Sequence, residues 1–244
     1  MALFCLTLAS AQVRLAFDAA SVKRAKGQDS VEADCRGIDS KYPPGIPVPP
    51  LGRCVMGNAR LDHAIALAYE LRFTESIKGG PAWARDDNVR FNIQATAPNP
   101  DKATHAELLQ MMRTLLQERF KAKLRLETQD IPGYALVVAN GGPKLHESAE
   151  SEAISLHIVP GPPATLTAHK YTMQLLAAFL ELKFKEPVSN QTGLNGAYDF
   201  SLSWDNTAGP MPAAALKELR LKLERRKVPA PFVVIDSVEM PSEN

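Results

Sequence analysis

Few residues in this sequence have the types and spacing that chemistry requires. The HExxH metal motif, the nucleophile elbow, the phosphate-binding loop and the Ser-x-x-Lys motif are all missing from it. His146-Glu147 comes nearest to a metal-binding pattern. Only His157 or His169 could join it, and these spacings fit no single helix or strand face. We therefore predict solvated loop histidines and no metal site.

Two further patterns resemble parts of active sites. Asp86-Asp87, with Arg85 and Arg90 beside them, could be paired carboxylates for acid–base chemistry. Adjacent aspartates in a polar segment are more typical of a solvated turn, which is our prediction. Thr192-Gly193 follows a glutamine where penicillin-recognising enzymes carry lysine, and no serine nucleophile motif accompanies it. We predict no catalytic residues and no cofactor site.

The sequence offers better candidates for a binding site than for a catalytic site. Trp83 and Trp204 are the largest apolar side chains, and a tryptophan at a turn can anchor a partner. Trp83 with Arg85 is the candidate binding patch. The alternative for Trp83 is core packing, with its indole N–H bonded to a backbone carbonyl.

Two cysteines predict a disulfide. If an N-terminal signal segment is removed, Cys35 and Cys54 remain, on either side of the proline-rich residues 42–52 (YPPGIPVPPLG). An even pair in an exported protein indicates a disulfide. The alternative is two buried thiols in a cytosolic protein. Zinc is disfavoured because no Cys-x-x-Cys pair or neighbouring histidine is present.

Composition excludes some classes of function. The 28 basic and 27 acidic residues give a net charge of +1, which argues against a nucleic-acid partner. Hydrophobic residues make up 45% of the chain, as in ordinary globular proteins. No stretch approaches the ~20 apolar residues that span a bilayer. Residues 1–11 end in Ala-Ser-Ala, so we predict a shortened signal peptide, the alternative being a buried N-terminal segment.

An internal repeat sets the predicted architecture. Residues 58–73 can be laid over residues 169–184 at a constant offset of 111, with Glu70 matching Glu181 and Phe73 matching Phe184. Each copy continues into an alternating strand, at 89–96 and 198–204. We interpret the pattern as a duplicated helix-then-strand unit. Coincidence is the alternative, since apolar helical patterns resemble one another.

Local signals give the remaining elements. A first helix is predicted over 61–72, and Thr104 with Glu107 forms a capping box that starts a second. Strands are predicted in pairs, 123–128 with 133–139 and 220–224 with 231–238, and a short helix at 213–219. Residues 27–52 show no periodicity and are predicted to be a loop. The resulting organisation is a signal peptide (1–11), a strand with the disulfide loop (12–57), a first repeat (58–146), a linker (147–164) and a second repeat (165–244).

Several motifs, in their order and spacing, resemble a known family. They are residues 17–23, 79–83 (GGPAW), 90–93 (RFNI), 141–145 (GGPKL), 192–200 (TGLNGAYDF) and 241–244 (PSEN). Together they resemble the uncharacterised exported proteins that are expanded in acidobacteria of the Solibacter type. The resemblance implies export across the inner membrane and no established activity. The helix-turn-strand unit is also similar, more loosely, to the short N-terminal domain of secretins and TonB-dependent receptors.

The predicted fold class is α+β, with two pseudo-repeated units that each pack two helices on a mostly antiparallel sheet. The predicted function is an exported, periplasmic or secreted, non-catalytic cell-envelope binding module whose partner is an unknown envelope protein or peptide. The alternatives are an envelope enzyme of hydrolase type with a dispersed site, and a sensor-type domain that acts with a membrane partner. An enzyme should show a pocket with convergent ionisable groups. A binding module should show an exposed sheet edge or an apolar groove near Trp83 or the proline-rich loop.

Overall fold

The computed structural model describes residues 14–26, 31–42, 47–72, 74–149, 154–205 and 213–242. The chain divides into two compact units. Unit one comprises Met1–Glu127 and Phe232–Asn244, and unit two comprises Thr128–Pro231. The predicted signal peptide (1–11) and Phe73 lie outside the described residues.

Strands dominate both units. The strands in the described part of the chain are β1 (Ala19–Arg24), β2 (Glu32–Arg36), β3 (Arg53–Ala59), β4 (Ile77–Gly79), β5 (Phe91–Thr96), β6 (Lys123–Val138), β7 (His146–Glu147), β8 (Ser155–Val159), β9 (Ala164–Thr172), β10 (Val188–Asn190), β11 (Ala197–Trp204) and β12 (Leu221–Ser237). The helices there are α1 (Leu61–Ala68), α2 (His105–Arg119) and α3 (Met173–Phe184), with 3₁₀ helices at Thr74–Ser76, Ala82–Arg85 and Ala213–Leu219.

Unit one is built on an antiparallel sheet in the order β1-β5-β3-β2. Side chains alternate between its two faces, so Val22, Met56 and Ile93 share one face and are buried. That face joins α1 and α2 in a single core. The opposite face carries the polar side chains of Ser21 and Gln94 and the apolar side chain of Val55.

The two helices of unit one begin and end for identifiable reasons. Thr104 accepts a hydrogen bond from the Glu107 N–H while the Glu107 side chain accepts one from the Thr104 N–H, which confirms the predicted capping box. α1 is shorter than predicted. Glu70 adopts a positive φ of 53°, and the N–H of Leu71 bonds back to the carbonyl of Ala66. This helix end normally uses glycine, so no local pattern predicts it here.

Unit two contains a second antiparallel sheet, in the order β7-β11-β9-β8. α3 starts at Thr172, whose side chain accepts a hydrogen bond from the Leu175 N–H. The buried face of the sheet, α3 and the 3₁₀ helix at Ala213–Leu219 share one core, which includes Leu166, Leu202 and Leu216.

β6 and β12 are each one long strand, where the sequence predicts two strands and a turn. Gly133 and its neighbouring proline suggested a turn between 123–128 and 133–139. Gly133 instead permits a close approach, because a Cβ atom there would lie 2.5 Å from the carbonyl oxygen of Pro187. β10 pairs with β6 in parallel next to this position. β6 and β12 belong to a third sheet, of order β10-β6-β12-β4.

The predicted fold class is therefore wrong. The described residues form twelve strands in three sheets, with only three α-helices. Unit two has α3 as its one described α-helix, because residues 213–219 form a short 3₁₀ helix that ends at Arg220, whose φ is 53°. None of the helices among the described residues has the length and apolar character needed to cross a membrane.

The two antiparallel sheets follow the same plan. Along the chain, each sheet's unit has a strand, an α-helix, a short strand of the third sheet and a further strand in succession: β3, α1, β4, β5 in unit one and β9, α3, β10, β11 in unit two. β4 begins at Ile77 and β10 at Val188, which is again an offset of 111. Internal duplication and the repeat boundaries stay predictions.

Candidate functional site

The predicted disulfide is confirmed. Cys35 on β2 and Cys54 on β3 are directly opposed and form a disulfide, and neither has any exposed surface. β2 is the edge strand of its sheet. The disulfide therefore ties an edge strand to the strand beside it and to the core beneath.

The backbone of Cys35 has side-chain partners. Its carbonyl oxygen accepts hydrogen bonds from the Tyr42 hydroxyl at 3.2 Å and from Nδ1 of His105 at 2.9 Å. Its N–H donates to the Asp34 carboxylate at 2.7 Å. Burial, followed by the hydrogen bond with Asp34, raises the pKa of Tyr42 to about 12. Tyr42 therefore stays a neutral hydrogen-bond donor at physiological pH.

A groove lies along the edge of β2. Residues 47–50 (PVPP), called the proline strap below, form its other wall. The groove has a volume of about 410 Å³ and is lined by Glu32, Ala33, Asp34, Pro47, Val48, Pro49, Pro50 and Val55. A second hollow of about 480 Å³ shares Pro50 and Val55 with it and extends over the outer face of the sheet. The side chain of Arg36 holds the strap through the carbonyl of Pro49, at 3.4 Å.

Three exposed apolar side chains are close in sequence to the residues that line this groove. Val31 precedes β2, Ile38 follows it, and Leu51 follows the proline strap. Their exposed fractions are 42%, 58% and 38%.

The sequence predicts a groove beside the proline-rich loop as one sign of a binding module, but it does not predict the strand that lines this groove. Residues 27–52 were predicted to be a loop without periodicity, yet they contain β2. The available signal was the alternation of Glu32, Ala33, Asp34 and Cys35, which is polar–apolar over four residues. That β2 lies at a sheet edge depends on strand order, which no local pattern shows.

The candidate patch of Trp83 and Arg85 lies elsewhere in unit one. Trp83 is half-buried and packs edge-on against Phe91, with ring centroids 6.5 Å apart. The guanidinium of Arg85 donates hydrogen bonds of 2.8 Å to the carbonyls of Ile77 and Gly79, so it fixes β4. Both side chains thus have structural contacts, and their role as a binding patch stays a prediction.

The aspartate pair forms no acid–base pair. Asp86 accepts hydrogen bonds from the backbone and side chain of Asn88, which is a turn contact. Asp87 accepts hydrogen bonds from Arg60 at 2.8 Å and from Arg90 at 2.7 Å. The hydrogen bond from Arg60 is the largest cause that lowers the pKa of Asp87.

Arg60 also binds a buried carboxylate. Its Nε and Nη2 donate to the two oxygens of Asp62, each at 2.9 Å, in a bidentate pair. Asp62 is only 1% exposed and lies in the first turn of α1, where the helix dipole favours a negative charge. These hydrogen bonds raise the pKa of Arg60. Two arginines and two aspartates thus neutralise one another at the start of α1.

His63, which neighbours this cluster, gives a pH-dependent prediction. Burial is the main cause that lowers its pKa below 6.5, with Arg60 and Arg90 adding to the effect and Asp62 and Asp87 opposing it. The unfolded chain therefore binds this proton more readily, so the free energy of unfolding should fall as pH drops below about 6.5. The loss should be less than the about 1.4 kcal/mol per pH unit that one proton can contribute.

His63→Gln should flatten this dependence between pH 7.5 and 5.5, as measured by urea unfolding. Glutamine can keep the hydrogen bond from the Arg60 N–H, because it is a capping-box residue at this position. His157→Gln, at an exposed position in unit two, is the matched control and should leave the profile unchanged. Equal pH profiles for wild type and His63→Gln would contradict the assignment.

The histidines of unit two lie on one sheet without forming a metal site. His146, His157 and His169 belong to β7, β8 and β9. Nδ1 of His169 lies 3.9 Å from Asp199, which accepts hydrogen bonds from the Ser148 hydroxyl and the Lys170 N–H. Asp199 thereby supports the β-bulge between β9 and β11. The described residues contain no group of three or more histidine, cysteine, aspartate or glutamate side chains that could hold a metal ion.

Comparison with protein families gives one match. The family model of a protein of unknown function, DUF3738, matches residues 62–238, which is most of the chain. The chain belongs to the DUF3738 family. No curated protein and no solved structure matched this DUF3738 protein.

The DUF3738 match begins at Asp62. It therefore includes α1–α3, β4–β12 and the Trp83–Arg85 pair. β1–β3, the disulfide and the proline strap precede it. In this DUF3738 protein the groove is thus built by residues that come before the matched segment.

Proposed function

We propose that this protein is an exported, non-catalytic binding module of the cell envelope, and that it holds an extended protein segment in the groove between β2 and the proline strap. Export is supported by the Cys35–Cys54 disulfide, since such bonds persist mainly outside the reducing cytosol. The resemblance to exported proteins described above supports the same location.

The observation that carries the binding function is the groove that Glu32, Ala33 and Asp34 of the edge strand β2 line together with the proline strap. An edge strand offers main-chain hydrogen-bonding groups to an incoming strand, and proteins usually block such edges with charges, proline, bulges or covering loops. Here β2, Val55 of β3 and the proline strap line a groove of about 410 Å³. This arrangement suits the addition of one extended segment.

The ionisable clusters of unit one support binding over catalysis. Arg60, Asp62, Asp87 and Arg90 bond to one another, and Asp34 bonds to the Cys35 backbone. A hydrolase with a dispersed site and a sensor-type domain are the alternatives. Both would be favoured if the following test failed.

A peptide-display library screened against the whole purified protein tests the proposal. We expect selected peptides to bind wild type and to bind Val55→Trp at least about tenfold more weakly, because the new indole fills the groove that Val55 lines. His157→Trp, at an exposed strand position of unit two, is the control and should bind as wild type does. A library that yields no binder would contradict the proposal. Binding lost in Trp83→Ala but kept in Val55→Trp would move the site to the Trp83 patch.

A further inference from the structure

Resting on the proposed function, we infer that the groove selects a basic extended segment, with lysine or arginine at alternate positions, and takes it as an added strand beside β2. Three features of the groove lead to this ligand class: the direction of the β2 backbone at Ala33, the charge of the lining, and the chemistry of the strap.

The backbone of Ala33 is directed into the groove. Opposed residues of an antiparallel pair alternate between those that bond to each other and those whose N–H and C=O point away. The backbone groups of Cys35 bond to Asp34, Tyr42 and His105, so they point away from β3. Ala33, two residues earlier in the same strand, must point the same way, and it lines the groove. An incoming strand can therefore exchange a pair of main-chain hydrogen bonds with Ala33.

The charge of the lining favours a cation. Glu32 and Asp34 lie two residues apart on β2, so their side chains share the outer face of the sheet. They are the charged residues among the described groove lining, which includes no arginine or lysine. Opposite charges that face each other across adjacent strands stabilise the pairing. A ligand strand with basic residues at alternate positions would place one opposite each carboxylate.

The proline strap offers more acceptors than donors: Val48 is its one residue with an N–H, and of its carbonyl oxygens that of Pro49 already accepts from Arg36. Pro47, Pro49 and Pro50 have carbonyl oxygens but no N–H. Ammonium and guanidinium groups are pure donors, so they complement this wall, whereas a carboxylate would find no donor on these prolines. Strap and edge strand thus favour the same ligand chemistry.

The test uses two fluorescein-labelled probes, a short peptide of alternating lysine and valine and its counterpart of alternating glutamate and valine. Fluorescence anisotropy with the whole protein should show the lysine peptide binding about tenfold more tightly. Glu32→Lys should weaken binding of the lysine peptide about five- to tenfold and strengthen binding of the glutamate peptide. Glu75→Lys makes the same charge change at an exposed position of unit one outside the groove lining, and should leave both affinities unchanged.

The outcomes separate this inference from the proposed function. Equal affinity for the two probes, or equal effects of Glu32→Lys and Glu75→Lys, would overturn the basic ligand class. Library peptides that bind wild type but bind Val55→Trp more weakly would then still support a binding module. Glu32→Gln, which only removes the charge, should weaken the lysine peptide less than Glu32→Lys does, and an unchanged affinity in both variants would count against the inference.

Discussion

Replacing Arg60 with methionine is expected to lower the free energy of unfolding by about 3–5 kcal/mol, because it leaves the buried Asp62 carboxylate without its bidentate partner. Asp62 is 1% exposed, so water cannot replace the two lost hydrogen bonds. Urea unfolding followed by Trp83 fluorescence measures the change. A Trp204→Phe background is needed, since the chain has two tryptophans and Trp204 lies in unit two.

Two variants make this result specific. Asp87→Ala removes the exposed partner of Arg60 and should cost far less than Arg60→Met does, as for other surface ion pairs. The double variant Arg60→Met with Asp62→Leu removes both charges and should recover most of the stability. If Arg60→Met and Asp87→Ala cost the same, the buried pair does not stabilise α1 as we describe.

Removal of the disulfide is the second large effect. Cys35→Ala with Cys54→Ala should lower the free energy of unfolding by about 3 kcal/mol, because the bond closes a loop with a sequence separation of 19 residues. The same urea unfolding measures it, in a Cys5→Ala background that prevents disulfide exchange. Since the bond also ties β2 to β3, the double variant should bind the lysine peptide more weakly.

Reduction provides the control for this prediction. Wild type in reducing buffer should unfold at nearly the same urea concentration as the double alanine variant, and the variant should not respond to reductant. A wild-type protein whose stability and peptide binding are unchanged by complete reduction would show that the disulfide neither stabilises unit one nor shapes the groove.

The features that the sequence predicted well depend on short-range chemistry. The capping box of Thr104 and Glu107 involves atoms three residues apart, so local pattern suffices to place the start of α2. The pairing of Cys35 and Cys54 followed from there being an even pair once the first residues are set aside.

The errors come from residues whose local preference is overridden by distant contacts. Gly133 and its neighbouring proline predict a turn, but the environment of Gly133 is set by Pro187, more than fifty residues away. β6 therefore continues through it. Glu70 has a left-handed backbone conformation that usually requires glycine. No local pattern in the sequence therefore predicts that α1 ends early.

The strand that lines the candidate site could not be predicted from local patterns, because its position also depends on contacts between distant residues. The proline-rich segment was recognised, and a groove beside it was one expected sign of a binding module. That β2 would be an edge strand follows from the sheet order β1-β5-β3-β2, which is decided by pairings across the whole of unit one. Glu32 and Asp34 can be recognised as candidate binding residues only once that order is known.

The most direct measurement is the amide hydrogen exchange rate of Ala33 in the whole ¹⁵N-labelled protein, with and without saturating lysine–valine peptide. An added strand would accept a hydrogen bond from this N–H, so we predict that the peptide slows its exchange at least about tenfold. Exchange at Ala33 that is unchanged while the peptide is bound would contradict strand addition in the groove.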